Sequence, residues 1–329
     1  MNRSLSKMLL VVCSGTVLCA AQQTAAPLAS QAIPAVKDTI TVVGQANPVT
    51  EGESARSTTV QEVQPQRLTV SGIPDMLRAD SSVDIEQRGG GATQNDVSIR
   101  GSSYEQTLVL LNGLRINDAE TSHFNLDLPV PLDALQGLYV LRGAGSTLYG
   151  SDAVSGVVDV TTRKPDEKYG LRLRLGAGSF GGNAQAAMLT ASQTKSSEVL
   201  AGSRDFSDGF IADRDYRSEQ LSEETRVKTA LGESDVLVAM SDRAFGADQF
   251  YGNYNSYERT KGWFASITQR INDKTQAALA YRRHTDVFVL LRDNPSVYEN
   301  NHIDTSWQGV VRRTDELPRK IAHVDYGLD

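Results

Sequence analysis

After Pro165 the chain settles into a two-residue period. Leu171, Leu173 and Leu175 alternate with Arg172 and Arg174, which gives a strand one apolar and one charged face. Similar runs follow at Asn183–Ala191, Glu198–Arg204, Thr225–Leu231, Val236–Arg243, Lys261–Arg270, Thr275–Val289 and Ser306–Arg313, so the pattern predicts about eight strands. Their connections alternate in length. Short turns are predicted at Gln193–Ser197, Gly232–Asp235 and Asn272–Lys274, and long polar-aromatic loops near Asp205–Glu224, Ala244–Thr260 and Arg292–Thr305. Short turns on one side and long loops on the other are the layout of an outer-membrane β-barrel. A soluble antiparallel sandwich also alternates and competes with that reading.

Upstream the pattern is different. Residues 22–37 are small, polar and punctuated by proline, the composition of a disordered linker. A β-prone run from Asp38 to Gly44 stands alone between polar stretches, with nothing nearby to pair with, and suits addition to another protein's sheet edge. From Val60 the composition turns globular. Pro74 fits the first position of a helix over Asp75–Ala79. Short apolar strands bounded by glycines are predicted at Val97–Arg100, Thr107–Leu111, Gly137–Arg142 and Val157–Thr162, with the turn signal Asn112-Gly113 after the second. These elements describe a small mixed α/β domain ending near Lys164-Pro165.

Composition and charge narrow the function. Arg3 and Lys7 precede a short apolar run with Ala20 and Ala21 behind it, the pattern of a secretory signal peptide over residues 1–21; Ser14, Gly15 and Thr16 break the run too early for a membrane anchor. Both cysteines, Cys13 and Cys19, lie inside that segment, so the exported chain is predicted to carry no thiol, disulfide or cysteine metal site. No later stretch approaches eighteen apolar residues, so membrane insertion would need a barrel. The net charge of −7, without a basic stripe, argues against a nucleic-acid partner.

The strongest motif signal lies between Val97 and Pro165: VSIRG, LVLLNGLRIND, LYVLRGAGSTLYGSDAVSG and VVDVTTRKP occur in that order at close spacing. Together they resemble the plug domain of TonB-dependent outer-membrane receptors, the family of vitamin B12 and ferric-siderophore transporters. The segment Asp38, Thr39, Ile40, Thr41, Val42, Val43, Gly44 resembles the TonB box, which in the family pairs with an energy-coupling partner. The resemblance therefore implies a signal peptide (1–21), a flexible segment with a TonB box (22–59), a plug (60–165) and a transmembrane antiparallel barrel (166–329). It also implies a barrel cut short, because the family has 22 strands; such a chain alone is not expected to transport. A plug-containing binding module without transport is the alternative.

For the plug, Arg100, Gly101, Asn112, Gly113, Arg142, Gly143, Tyr149 and Gly150 are the structural motif residues. The resemblance implies that Arg100 and Arg142 meet barrel carboxylates; capping strand ends in solvent is the plainer reading. Ser103, Tyr104, Glu105, His123 and Asn125, in polar loops between plug strands, are candidate ligand contacts, as are Tyr251, Tyr254 and Tyr257 of the aromatic stretch Ala244–Phe264. In that stretch a membrane-interface girdle is the competing reading, favoured for Trp263 and Phe264. Asp205, Asp208, Asp213 and Asp215 fall in one predicted loop and could hold calcium, although a solvated loop explains them as well. The four histidines lack ligand spacing, and LYVLRGAGSTLYG lacks the third glycine of a dinucleotide motif. No cofactor and no catalytic group are predicted. The expected partners are a TonB-type coupling protein, a metal-chelate or cobalamin-like ligand, and outer-membrane lipid.

Overall fold

In the computed structural model the described residues are 58–91, 93–165, 167–316 and 323–328. The predicted signal segment, the linker and the run Asp38–Gly44 lie outside them.

The first domain is built from short elements: β1 (Thr58–Glu62), α1 (Val63–Gln66), α2 (Ile73–Leu77), β2 (Val83–Gln87), β3 (Asn95–Ile99), β4 (Thr107–Leu111), β5 (Leu114–Arg115), β6 (Leu135–Arg142), α3 (Ser146–Tyr149) and β7 (Gly156–Thr162). Pro74 stands at the start of α2, where its missing N–H costs nothing, and Asp75 accepts the Ser71 amide at 2.8 Å. The five-stranded sheet runs β1-β6-β7-β4-β5, with β4 and β7 parallel and the other pairs antiparallel. All five residues of β4 are buried, which is why its sequence TLVLL reads as an unbroken apolar run. Asn112 (φ 53) and Gly113 (φ 76) make the left-handed turn from β4 to β5. The hairpin β2-β3 forms a separate two-stranded sheet.

The second part is one antiparallel meander of nine strands: β8 (Tyr169–Ala177), β9 (Asn183–Ser192), β10 (Ser196–Ser207), β11 (Tyr216–Thr229), β12 (Gly232–Asp248), β13 (Asn255–Asn272), β14 (Thr275–Val289), β15 (Glu299–Glu316) and β16 (His323–Leu328). Each strand pairs with its sequence neighbour, and β8 and β16 form the two edges of the sheet among the described residues. The predicted count of about eight thus falls one short, the missing strand being β16. The predicted long loops also shrink to residues 208–215, 249–254 and 290–298, because the strands run further than their apolar alternation does. Beyond the apolar rows the outward residues become polar, as at Arg217, Glu219, Asp242, Arg259 and Lys261, so the period fades while the backbone ladder continues.

Alternation sorts the two faces. The outward face exposes Leu171, Leu173, Leu175, Leu189, Leu200, Leu221, Val238, Met240, Trp263, Ile267, Leu279 and Trp307. Opposite them, Met188, Val199, Ala201, Leu237, Ala239, Phe264, Ala278, Ala280 and Val310 join one buried cluster with Val109, Leu111, Leu138, Val140, Val158 and Val160 of the first domain. The small alanines let the inner domain approach the wall. Phe264 therefore belongs to this core and not to a surface girdle, whereas its neighbour Trp263 does face outward.

Gly156 opens β7 where a Cβ would stand 2.3 Å from the Leu141 carbonyl oxygen and 2.7 Å from Ile99 Cδ1. A Gly156→Ala substitution is expected to destabilise the inner domain by about 1–3 kcal/mol. Hydrogen exchange of the β4 and β7 amides would show the loss as faster opening, while unchanged protection would contradict this packing.

Candidate functional site

The residues that join the inner domain to the sheet are charged, buried and paired across the boundary. At Asp127, Arg243 donates to one carboxylate oxygen at 2.6 Å and the Thr260 hydroxyl to the other at 2.9 Å. Arg243 also donates to the Leu128 carbonyl at 2.9 Å, as does Gln220 at 2.7 Å. Asp118 lies 3.4 Å from both Arg282 and His284, and Arg282 reaches Asp304 at 2.8 Å. Burial opposes ionisation of Asp118, but the Thr121 amide, Arg282 and His284 outweigh it and hold its carboxyl below the usual range. A third pair joins Asp133 to Arg174 at 2.9 Å.

Near the short-turn end the same logic becomes a network. Arg226 is held by Asp235 at 2.7 Å and by Glu224, and donates to the Arg163 carbonyl at 2.8 Å and to Thr162 Oγ1 at 3.0 Å. The Thr162 hydroxyl donates to Glu224 at 2.8 Å, and Asn112 donates to Thr162 at 2.9 Å. Asn112 and Gly113 thus do two jobs: they turn the chain and dock it. The Gly113 amide donates to Asp159 at 3.0 Å. Enclosure by protein pushes the Asp159 carboxyl up to about 6, only partly offset by that amide and by Arg312.

The predicted arginines pair differently from expectation. Arg142 bonds within the inner domain, to Thr59 at 2.6 Å, with Asp80 4.0 Å away, and Arg100 is exposed at a left-handed turn (φ 55). In three of the contacts across the boundary the wall supplies the arginine (Arg174, Arg243, Arg282) and the inner domain the carboxylate (Asp133, Asp127, Asp118), whereas Lys164 meets Glu233 of the wall at 3.5 Å. Gly101 and Gly143 have φ of 74 and 105, and Gly150 of 86, conformations that favour glycine. Tyr149 is buried, with Arg312 over its ring at 5.4 Å and its carbonyl accepting from Arg115 at 2.9 Å.

At the long-loop end the inner domain presents Tyr104 and His123, whose rings lie 4.6 Å apart with the hydroxyl 3.3 Å from Nε2. His123 Nδ1 is 3.1 Å from Asp96. Burial, and then the Asp96 and Glu105 carboxylates, raise the Tyr104 phenol, which therefore stays a donor. The loop Arg88–Gly91 is clasped by the wall: Arg88 donates to the Phe250 carbonyl at 3.1 Å, and Arg214 donates to the Arg88 carbonyl at 3.3 Å. Gly91 (φ 57) nests against Tyr216, where a Cβ would come within 2.1 Å of the ring. The Tyr251 hydroxyl lies 2.6 Å from Gln94 and 2.9 Å from Glu258.

Ser103, Tyr104, Glu105, His123 and Tyr251 thus lie on or beside one surface, and Tyr254 is exposed in the 249–254 loop. Asn125 does not join them: it is buried, and its side-chain oxygen accepts the Asp118 amide at 2.9 Å. Tyr257 stands on the outward phase of β13 beneath the Arg292 guanidinium, 5.3 Å away. The four loop aspartates do not converge. Asp213 and Asp215 pair with Arg292, Asp205 accepts from Tyr216 at 3.4 Å, and no group of three or more metal-ligating side chains occurs among the described residues. Arg226, Arg243, Arg282, Asp118, Asp127, Asp133 and Glu224 went unnoticed in the sequence, and Arg174 was read only as part of a charged strand face, although charges on the inward phase of an alternating strand were a usable signal.

Residues 50–157 match the family model of the TonB-dependent receptor plug domain. That segment is a TonB-dependent receptor plug domain. It is 32% identical over 126 residues to the vitamin B12 transporter BtuB of Vibrio vulnificus strain CMCP6, an alignment covering 38% of this chain and 20% of that protein. A second relative, BtuB of Vibrio cholerae serotype O1, is 32% identical over 108 residues, covering 33% of this chain and 18% of its own length. Among solved structures, the siderophore receptor PirA of Acinetobacter baumannii superimposes with a TM-score of 0.55 at 18% identity, covering 82% of this chain and 47% of that one. The hemophore receptor HasR of Serratia marcescens gives 0.64 at 14% identity, covering 82% and 44%. The chain therefore spans about half the length of the receptors whose fold it shares. The inner domain is the plug, and the nine-stranded sheet is barrel wall.

Two outcomes follow. Arg226→Ala would strand Glu224 and Asp235 in a buried setting and should cost about 3–5 kcal/mol of stability, measured by denaturant unfolding in detergent. Asp159 titrates in the opposite sense to a paired carboxylate. Because its folded pKa of about 6 lies above the ordinary aspartate value of 3.8, it favours the folded plug at low pH, and that stability is lost as pH rises through 6. Asp159→Asn should therefore flatten the pH dependence of plug unfolding between those values; an unchanged profile would refute the assignment.

Proposed function

We propose that this protein is an outer-membrane receptor that takes up a scarce, large ligand of the ferric-siderophore or cobalamin class. In this reading the plug gates the barrel, the chain is exported by its signal peptide, and the TonB box at Asp38–Gly44 couples to an energised partner of the inner membrane. The observation that carries the reading is the plug itself, a domain that shares an apolar cluster with the inner face of the sheet and is fastened there by buried ion pairs and hydrogen bonds. Hydrogen-bonded pairs can be exchanged for water, and a cavity of about 110 Å³, lined by Arg174, Gln220 and Arg243 of the wall and by Leu126, Leu128 and Val130 of the plug, lies along the boundary.

The outward rows of Leu, Val, Met and Trp suit lipid contact, and the Tyr104–His123–Tyr251 surface at the long-loop end is where a ligand would first meet the plug. The relatives are a vitamin B12 transporter and siderophore and hemophore receptors, which supports transport of a bulky cargo over catalysis.

Strand addition requires backbone N–H donors, so Thr41→Pro removes a ladder bond from the proposed coupling strand. The expected result is loss of energised uptake of labelled cobalamin or ferric siderophore by cells, with surface binding of the same ligand retained. Uptake that survives the substitution would contradict coupling through this segment.

A further inference from the structure

At the long-loop end three rings meet edge to face. Tyr251 and Phe288 lie 5.3 Å apart at 81°, and Phe288 and Tyr298 6.2 Å apart at 64°. Tyr251 and Tyr298 are 39% and 49% exposed, so the rings are open to solvent. Beside them stand carboxylates in excess of their partners. Glu258, 3% exposed, accepts the Tyr251 hydroxyl at 2.9 Å. Asp286, 5% exposed, shares the inward phase of β14 with Phe288, and one of its oxygens has no hydrogen-bond partner. Its other oxygen lies 3.5 Å from His302, which lies 2.8 Å from Glu120 of the plug.

The cations nearby are mostly committed. Arg88 stands over the Tyr251 ring at 5.9 Å, but it is shared with Glu86 at 3.2 Å and Asp96 at 4.0 Å. Arg282 and Arg243 serve Asp118, Asp304 and Asp127. Among the described residues Glu258, Asp286 and Glu120 are left with one histidine, His302, among them. Buried carboxylates without a matching cation are costly, and aromatic faces beside them are the surroundings that favour an ammonium group.

We propose that this aromatic and acidic cluster binds an organic cationic group, of the ammonium type, carried by the ligand. Glu258 and Asp286 supply the charge, while Tyr251, Phe288 and Tyr298 supply the faces. The proposal rests on the receptor reading for its biological meaning but not for the binding itself. An anionic chelate would meet repulsion here, so the cluster selects for neutral or cationic cargo.

The test is calorimetric titration of the purified full-length receptor in detergent with choline and with its uncharged isostere 3,3-dimethyl-1-butanol. Choline is expected to bind saturably and more tightly than the alcohol by about tenfold. Glu258→Gln and Asp286→Asn should each weaken choline by a similar factor, while Glu223→Gln on the outward face should not. Equal binding of the two probes by the unaltered receptor, absence of choline binding, or indifference to both inward substitutions would overturn the proposal. The receptor reading fails on a different result, uptake that ignores the substitution at Thr41.

Discussion

The structure depends on how the plug's buried carboxylates are fastened to arginines on the inner face of the wall. Arg174, Arg243 and Arg282 reach inward to Asp133, Asp127 and Asp118, and Arg226 gathers Glu224, Asp235 and Thr162 beneath the Asn112–Gly113 turn. Arg226, Arg243 and Arg282 are each fixed by at least one further acceptor, a backbone carbonyl, a hydroxyl or a second carboxylate, so desolvating the charge is offset by directed bonds. Remove one partner and the other is stranded. The plug therefore has a defined seat, yet the bonds that define it can be replaced one by one by water.

The same constraint explains the wall's inner surface. Alanines at 186, 201, 239, 278 and 280 keep it thin where the plug sheet approaches, and arginines project where the plug offers acids. Glycine serves the same end on the plug side: Gly91 lets the apex loop lie under Tyr216, which positions Arg88 against the Phe250 carbonyl and Gln94 against Tyr251. Surface, clasp and seat are consecutive parts of one path from the outer loops to the plug core.

Much of this fold was legible in the sequence where burial on one face imposed a period. The alternation at Leu171–Leu175 and Thr275–Val289, and the apolar run Thr107–Leu111, mark strands at those positions. The pattern faded where strands rise past the apolar rows, which is why residues 216–224 and 255–260 read as loop although their backbones are fully paired. The strand β16 was missed for a related reason, its outward Val324, Tyr326 and Leu328 being too few to establish a period. The site was less legible. Tyr104, His123 and Tyr251 could be nominated from polar loops, but Asn125 was misread because nothing local shows that its amide completes the Asp118 loop. The inversion of charge between plug and wall, with arginine on the strands, is a property of pairs far apart in sequence.

The most direct measurement of the account is a double-mutant cycle on Asp127 and Arg243, using denaturant unfolding of the plug in detergent or hydrogen exchange of its sheet amides as the readout. The account predicts that each single alanine substitution is strongly destabilising and that the pair together costs less than the sum, with a coupling of about 2 kcal/mol or more. Strict additivity would contradict it, because the plug would then be seated by something other than these buried ion pairs.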